Sequence, residues 1–378
     1  MKRRDFLKTA CVTCGAVGAG MAAGGIAAGR VLGGPGVGPG EFHKEAMFYE
    51  KVGDREVRCA LCPRGCVVGE GQRGYCRVRE NLEGVYYTMV YGRVCTYHVD
   101  PIEKKPLFHV APGTTAFSLA TVGCNLECKF CQNWEISQER PENVDAVNIA
   151  PARVVAAAVG AGSPAVAFTY TEPTVCFEYM LDTARRAREA GLRSVMISSG
   201  YIARDPLALV AAAMTAIKID LKAFTEDFYS RICGGRLAAV LDSIVTVKKS
   251  GTWLELVYLV IPTLNDNDKD IDRMCKWLVE NVGSEVPIHF TRFYPTYKLV
   301  NLPPTPVSAV ERARQAALAR GLKFAYVGNV PAGHPGESTY CPGCGEVVIK
   351  RAAYTILSNT LSAGKCPKCA TPIAGVWS

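Results

Sequence analysis

Cys124, Cys128 and Cys131 stand in the spacing C-x3-C-x2-C within the run Thr121-Val-Gly-Cys124-Asn-Leu-Glu-Cys128-Lys-Phe-Cys131-Gln-Asn-Trp134. An apolar stretch at 117–122 leads into them, so three thiolates converge on one short loop after a strand-like run. A 4Fe-4S cube has four iron corners and is usually closed by four thiolates. A loop offering three leaves one iron open to an exogenous ligand, which belongs to a catalytic site rather than to an electron wire. The competing readings are three unrelated buried cysteines, or a zinc or ferredoxin loop with a distant fourth ligand. The local context, three cysteines at this spacing after an apolar run, argues against chance.

Two further cysteine groups flank this loop. Cys59-Ala-Leu-Cys62-Pro-Arg-Gly-Cys66 is followed by Cys76, with glycines at 65, 69, 71 and 74 to allow the tight turns of a small metal loop. Four cysteines in so short a stretch fit structural zinc or a second iron-sulfur cluster, and ligand softness alone does not separate the two. Near the C-terminus, Cys341-Pro-Gly-Cys344 and Cys366-Pro-Lys-Cys369 form two C-x2-C knuckles, the pattern of a zinc ribbon or rubredoxin-like site. Zinc is the favoured metal there, because a short two-knuckle ribbon usually needs metal to fold.

The 378 residues include 17 cysteines, 49% apolar residues and 21% charged ones. The apolar share is that of a globular protein with a sizeable core, whereas secreted disulfide scaffolds are small and core-poor. The formal charge of +8 is spread without a basic block. No aromatic-basic groove accompanies it, so no nucleic-acid partner is expected.

The elements that must position these cysteines follow an alternating pattern. Strand-like runs at 116–122, 165–171, 193–199, 216–222, 253–261, 287–293 and 323–327 alternate with helical runs, which predicts parallel β/α units. Asp205-Pro206 and Thr305-Pro306 read as an N-cap followed by proline at the first helical position, and Gly191, Gly251 and Gly321 fall where helices end. The expected fold class is α/β, an open, partial (β/α)6-type TIM barrel with its site at the C-terminal strand ends. A small N-terminal Cys-rich domain at 41–112 precedes the barrel at 113–332, and a zinc ribbon or rubredoxin-like domain at 338–378 follows it. Period two in Ile217-Lys218-Ile219-Asp220-Leu221-Lys222 puts Lys218, Asp220 and Lys222 on one face, implying a polar lumen or a solvated edge. By the same alternation, Arg292 and Tyr294 face the way Phe290 does, opposite to His289. Asp100-Pro-Ile-Glu-Lys-Lys-Pro106 reads as a solvated loop or as a lid near the cluster loop.

The cluster loop, with aromatic Phe130 before its last cysteine, resembles that of the radical S-adenosylmethionine (radical SAM) superfamily. The resemblance implies that the open iron of a 4Fe-4S cluster chelates the amine and carboxylate of S-adenosylmethionine (SAM), and that reductive cleavage yields a 5'-deoxyadenosyl radical. Tyr170-Thr171-Glu172-Pro173 looks like the family's Gly-Gly-Glu motif, with Tyr170 and Thr171 in place of the glycines and Glu172 expected at the methionyl amine. Ser198 and Ser199 match the ribose-side position, and Asp220 and Lys222 resemble the carboxylate and ribose contacts of glycyl-radical-enzyme activases. Ile261-Pro262-Thr263 resembles the Ile-Pro-Gly loop beside the adenine, and His289 matches a SAM-side histidine, weighed against a satisfied core role. Taken with Cys59-x2-Cys62-Pro-x2-Cys66, Arg292-Phe-Tyr-Pro295 and Gly328-Asn-Val330, the chain resembles the radical SAM enzymes of the AmmeMemoRadiSam system, a branch similar to pyruvate-formate-lyase activases. The resemblance implies an electron donor such as flavodoxin or ferredoxin, and partner proteins of that system.

Met1-Lys-Arg3-Arg4-Asp5-Phe6-Leu7-Lys8 before an Ala/Gly-rich stretch at 9–29 resembles a twin-arginine export signal, followed by a Gly-rich linker to residue 40. The implied location is the periplasm or a membrane anchor through the uncleaved segment, with cytoplasmic activity before export as the alternative. Cys11 and Cys14 in this stretch are assigned no chemistry. Against the radical SAM reading stand a glycyl-radical-enzyme activase within the same class, and, outside it, an exported iron-sulfur electron carrier or an inactive scaffold.

Overall fold

The structure, a computed structural model, describes residues 41–377. The arginine pair, the 9–29 stretch, Cys11, Cys14 and the linker lie outside these residues. Pro39–Ser378 forms one compact unit.

The frame of that unit is an eight-stranded sheet. Its strands are β1 (Thr96–Pro101), β2 (Thr115–Ala120), β3 (Ala165–Phe168), β4 (Arg193–Ser198), β5 (Ala216–Asp220), β6 (Trp253–Val260), β7 (Ile288–Arg292) and β8 (Ala325–Gly328). They lie side by side in chain order, β2 to β8 parallel and β1 antiparallel to β2 at one edge. All seven runs read as strands in the sequence are strands, and the parallel α/β core is present. The β1 strand was not foreseen: Asp100 and Pro101 end a sheet strand that pairs with Ala116 and Thr115.

Helices α1 (Pro151–Gly160), α2 (Phe177–Glu189), α3 (Arg204–Ala211), α4 (Leu237–Ser250), α5 (Asp268–Val282) and α6 (Val307–Ala319) connect the parallel strands. Their apolar faces, such as Ile271, Met274, Cys275 and Leu278 on α5, pack with Ile217, Ile219 and Leu221 in one continuous core. The helix-ending glycines behave as expected: Gly191, Gly251 and Gly321 all adopt positive φ. The two proline starts differ. The α3 N-cap is Ala203, and α6 is capped by Pro306 rather than Thr305. The Thr305 hydroxyl is drawn inward instead, donating to the Val260 carbonyl at 2.5 Å and accepting from the Phe293 amide.

Two small modules pack on this frame. The N-terminal one has two three-stranded sheets, Lys44–Glu45 with Val85–Thr88 and Arg79–Leu82, and Tyr49–Gly53 with Glu56–Cys59 and Val67–Val68. A buried ion pair joins it to α2, Arg79 Nη2 to Glu178 Oε2 at 2.5 Å. The C-terminal module is a three-stranded antiparallel sheet, Thr339–Tyr340, Val347–Ala352 and Thr355–Asn359. Val348, Ile349, Cys341 and Cys366 pack with Phe108, Phe324 and Tyr326, and buried Arg351 lies over the Phe108 ring.

Candidate active site

A cavity of about 660 Å³ opens at the C-terminal ends of the parallel strands. Cys124, Cys128, Phe130 and Cys131 line it from the loop after β2. That loop is clamped by a short helical turn at Tyr229–Cys233, whose Cys233 and Ile232 carbonyls accept the Glu127 and Lys129 amides, both at 2.9 Å. The Cys233 thiol hydrogen-bonds Cys128 and thereby lowers its pKa against burial. Nothing in the local sequence marks Cys233 as different from a core cysteine. Burial pushes the Cys124 thiol well up, and the nearby Glu172 carboxylate adds to that.

After β3 the backbone turns at Tyr170 with φ of 66°, the left-handed conformation that glycine favours. Thr263, which also stands where the family pattern has glycine, has the same φ of 66°, whereas Thr171 is not in the left-handed region. Tyr170 and Thr263 therefore keep a glycine-like backbone shape while adding a side chain. The Tyr170 hydroxyl bonds Asp100, and Asn133 of the cluster loop donates to the Tyr170 carbonyl at 2.7 Å.

Glu172 is buried and accepts from the Thr174 amide and hydroxyl, the Ser198 hydroxyl, and the Ser199 amide and hydroxyl, all between 2.7 and 3.1 Å. The expected Glu172, Ser198 and Ser199 thus form one network across β3 and β4. Thr171 lines the same cavity, with its hydroxyl bonded to the Thr121 carbonyl.

On β5 the alternation holds, and the charged face points into the lumen: Lys218, Asp220 and Lys222 all line the cavity. Asp220 pairs with Lys218 on one oxygen and with Lys222 at 2.9 Å on the other. Burial pushes the Asp220 carboxyl up, but the two lysines more than offset it and hold it at about 2. Burial opposes the charge of Lys222, which Asp220 and Cys128 nonetheless stabilise, while burial pulls Lys218 down despite Asp220.

His289 lines the cavity and donates from Nε2 to Glu255 Oε2, 2.8 Å away, while Phe290 is buried in the core. Glu255 also receives the Phe108 and His109 amides and the Trp253 indole. Glu255 escaped the sequence reading; its signal was a charge inside the otherwise apolar run Trp253–Val260. Burial pulls the His289 imidazole down despite Glu255, so the neutral form is favoured.

Lys104 and Lys105 also line the cavity. Lys105 is 3% exposed, bonds Asp100 at 2.5 Å, and burial lowers its amine to about 8. Residues 103–106 of that segment are therefore part of the wall, which Glu337 and, from the C-terminal module, Ala353 and Tyr354 also line.

The three cysteine groups differ in spacing. The ribbon quartet brings all four sulfur atoms within 4.8 Å, with Cys341 and Cys369 3.5 Å apart and Cys344 and Cys366 3.7 Å apart. Four thiolates around one tetrahedral ion at about 2.3 Å stand about 3.8 Å from each other, so this quartet fits a single zinc or iron ion. No other group of three or more ligands among the described residues is so tight. The loop trio converges on one cavity at wider spacing, which suits thiolates on separate corners of an iron-sulfur cluster.

The radical SAM superfamily profile matches residues 118–278. An uncharacterized protein of Methanocaldococcus jannaschii is 45% identical over 332 residues, covering 87% of this chain and 98% of the relative. The chain belongs to the radical SAM superfamily. A second uncharacterized protein of the same organism is 25% identical over 256 residues, covering 65% of this chain and 68% of the relative. Among solved structures, a domain of a pyruvate-formate lyase-activating enzyme from Bacteroides vulgatus aligns with TM-score 0.39 at 18% identity, covering 43% of this chain and 98% of that one. A radical SAM methyltransferase from Sphaerobacter thermophilus aligns with TM-score 0.44 at 19% identity over 57% of this chain and 66% of that one. The profile spans β2 to α5, the stretch that carries the cluster loop, Glu172, the two serines and the charged β5 face of this radical SAM chain.

Proposed function

We propose that the chain is an enzyme that reductively cleaves SAM and directs the resulting radical at a small polar substrate. The observation that carries this is the convergence of the Cys124, Cys128 and Cys131 thiols with Glu172, Ser198, Ser199, Asp220 and Lys222 on one cavity. The 4Fe-4S cluster held by the three thiolates would supply the electron that breaks the sulfonium, leaving methionine and a 5'-deoxyadenosyl radical that takes a hydrogen atom. The protein's own residues bind, orient and exclude water. Ser198 and Ser199, fixed by Glu172, present hydroxyls at the β4 end. Asp220, kept ionised by two lysines, offers a permanent carboxylate for a hydroxyl or ammonium group.

The cavity volume lies in the range of small-molecule sites. Lys104, Lys105 and Tyr170 on its wall favour a small polar substrate over a glycine loop of a partner protein, so the activase reading stands second. Membership of the AmmeMemoRadiSam system, a flavodoxin or ferredoxin donor, and twin-arginine export are parts of the same proposal that rest on the sequence motifs. The test is anaerobic reconstitution with iron and sulfide, followed by SAM and dithionite, with 5'-deoxyadenosine measured by chromatography. Product from the wild type that disappears in Cys128→Ala supports the enzyme. No product from a fully loaded cluster overturns it in favour of a carrier or scaffold.

A further inference from the structure

Cys59, Cys62, Cys66 and Cys76 line a second pocket, placed directly behind the cluster loop. Gly123, the residue before Cys124, leaves no room for a side chain there: an added Cβ would lie 3.0 Å from the Cys76 carbonyl and 2.6 Å from Val78. Arg64, between Cys62 and Cys66, donates to the Asn125 carbonyl at 2.7 Å, and Asn125 lines the pocket with the four cysteines. None of these cysteines forms a disulfide.

We propose that this pocket holds a second iron-sulfur cluster, ligated by Cys59, Cys62, Cys66 and Cys76, rather than a zinc ion. Two observations carry the assignment. The four cysteines line one pocket, yet among the described residues only the ribbon quartet closes to single-ion spacing. Finally, two fully buried donors that line the pocket lack a partner, Arg79 Nη1 and the Tyr86 hydroxyl. Unpaired buried donors are unfavourable, and four thiolates around a lone zinc ion would offer only their own sulfurs as acceptors. A cluster would add bridging sulfides as further acceptors in the pocket that both groups line. Hydrogen bonds to sulfur also tune cluster potential.

The test uses the full chain, reconstituted anaerobically with iron, sulfide and zinc, and measures acid-labile sulfide, iron and zinc per chain. Sulfide is the deciding readout, because a single ion in the ribbon, zinc or iron, brings none. A variant with Cys124, Cys128 and Cys131 all replaced by alanine is expected to keep roughly a third to a half of the wild-type sulfide, the lower figure for a 2Fe-2S and the upper for a 4Fe-4S centre. It should also show a reduced-cluster electron paramagnetic resonance signal that SAM does not perturb. Adding Cys62→Ser should remove both. Loss of all sulfide in the triple variant, with about two zinc ions per chain, overturns the proposal. A wild-type Mössbauer spectrum that accounts for all sulfide-bound iron in one SAM-responsive cluster overturns it as well, whatever the variants' folding. Neither outcome depends on SAM cleavage, so failure of the enzyme reading leaves this result separately readable.

Discussion

Glu172 receives five hydrogen bonds from Thr174, Ser198 and Ser199, so its carboxylate is held in place by three neighbours. A charged hydrogen bond is worth about 1.5–3 kcal/mol. Ser199→Ala removes one of the two donors to Oε2, and the variant should unfold about 2 kcal/mol more easily in urea and bind SAM more weakly. Unchanged stability would mean that the carboxylate is not anchored there. At this scale the sequence was legible wherever the backbone itself leaves a signature. Cysteine spacing, a serine pair at a strand end and the alternating lysines and aspartate of β5 were all readable and all reach one cavity. Glu255 and Cys233 were not, because each acts through a partner distant in sequence, His289 for one and Cys128 for the other. A single buried charge or thiol does not announce its partner.

Elements carry the next level. The strands and their order followed from apolar runs and glycine stops, since parallel strands covered by helices must be apolar on the covered face. The β1 strand was hidden because Thr96–Pro101 contains His98 and Asp100 and ends in proline, a composition that an antiparallel edge strand tolerates and a central one does not. The N-terminal module is tied to α2 by Arg79 and Glu178, both 1% exposed. Breaking a buried pair leaves an uncompensated charge and costs about 3–5 kcal/mol. Glu178→Leu should therefore lower the chemical-denaturation stability by that amount and speed amide exchange in strands 79–82 and 85–88. A change below about 1 kcal/mol would show that the pair does not hold the module to the helix.

The whole molecule is joined at its other end through His109. Its Nδ1 bonds the Ala374 carbonyl at 2.6 Å and its Nε2 the Tyr326 hydroxyl at 2.5 Å, with Glu255, Arg351 and His289 nearby. Burial lowers the imidazole from 6.5 to about 4, so the folded chain binds its proton less readily than the unfolded chain. The stabilisation is complete above pH 6.5 and is lost as the pH falls toward 4, a change on the order of 3 kcal/mol. His109→Gln should flatten the pH dependence of unfolding across that window. An equally steep curve in the variant would assign the acid sensitivity to other groups, the ribbon thiolates first.

Ala353 and Tyr354 come from the C-terminal module and Glu337 from the turn leading into it, yet all three stand on the cavity wall, while Glu172, Ser198, Ser199, Asp220 and Lys222 come from the ends of the parallel strands and the loops that follow them. Exchanges at the first set leave the network around Glu172 and Asp220 untouched. The cavity is thus a composite of two modules, and its shape can be altered from the C-terminal side without any change to the residues at the strand ends.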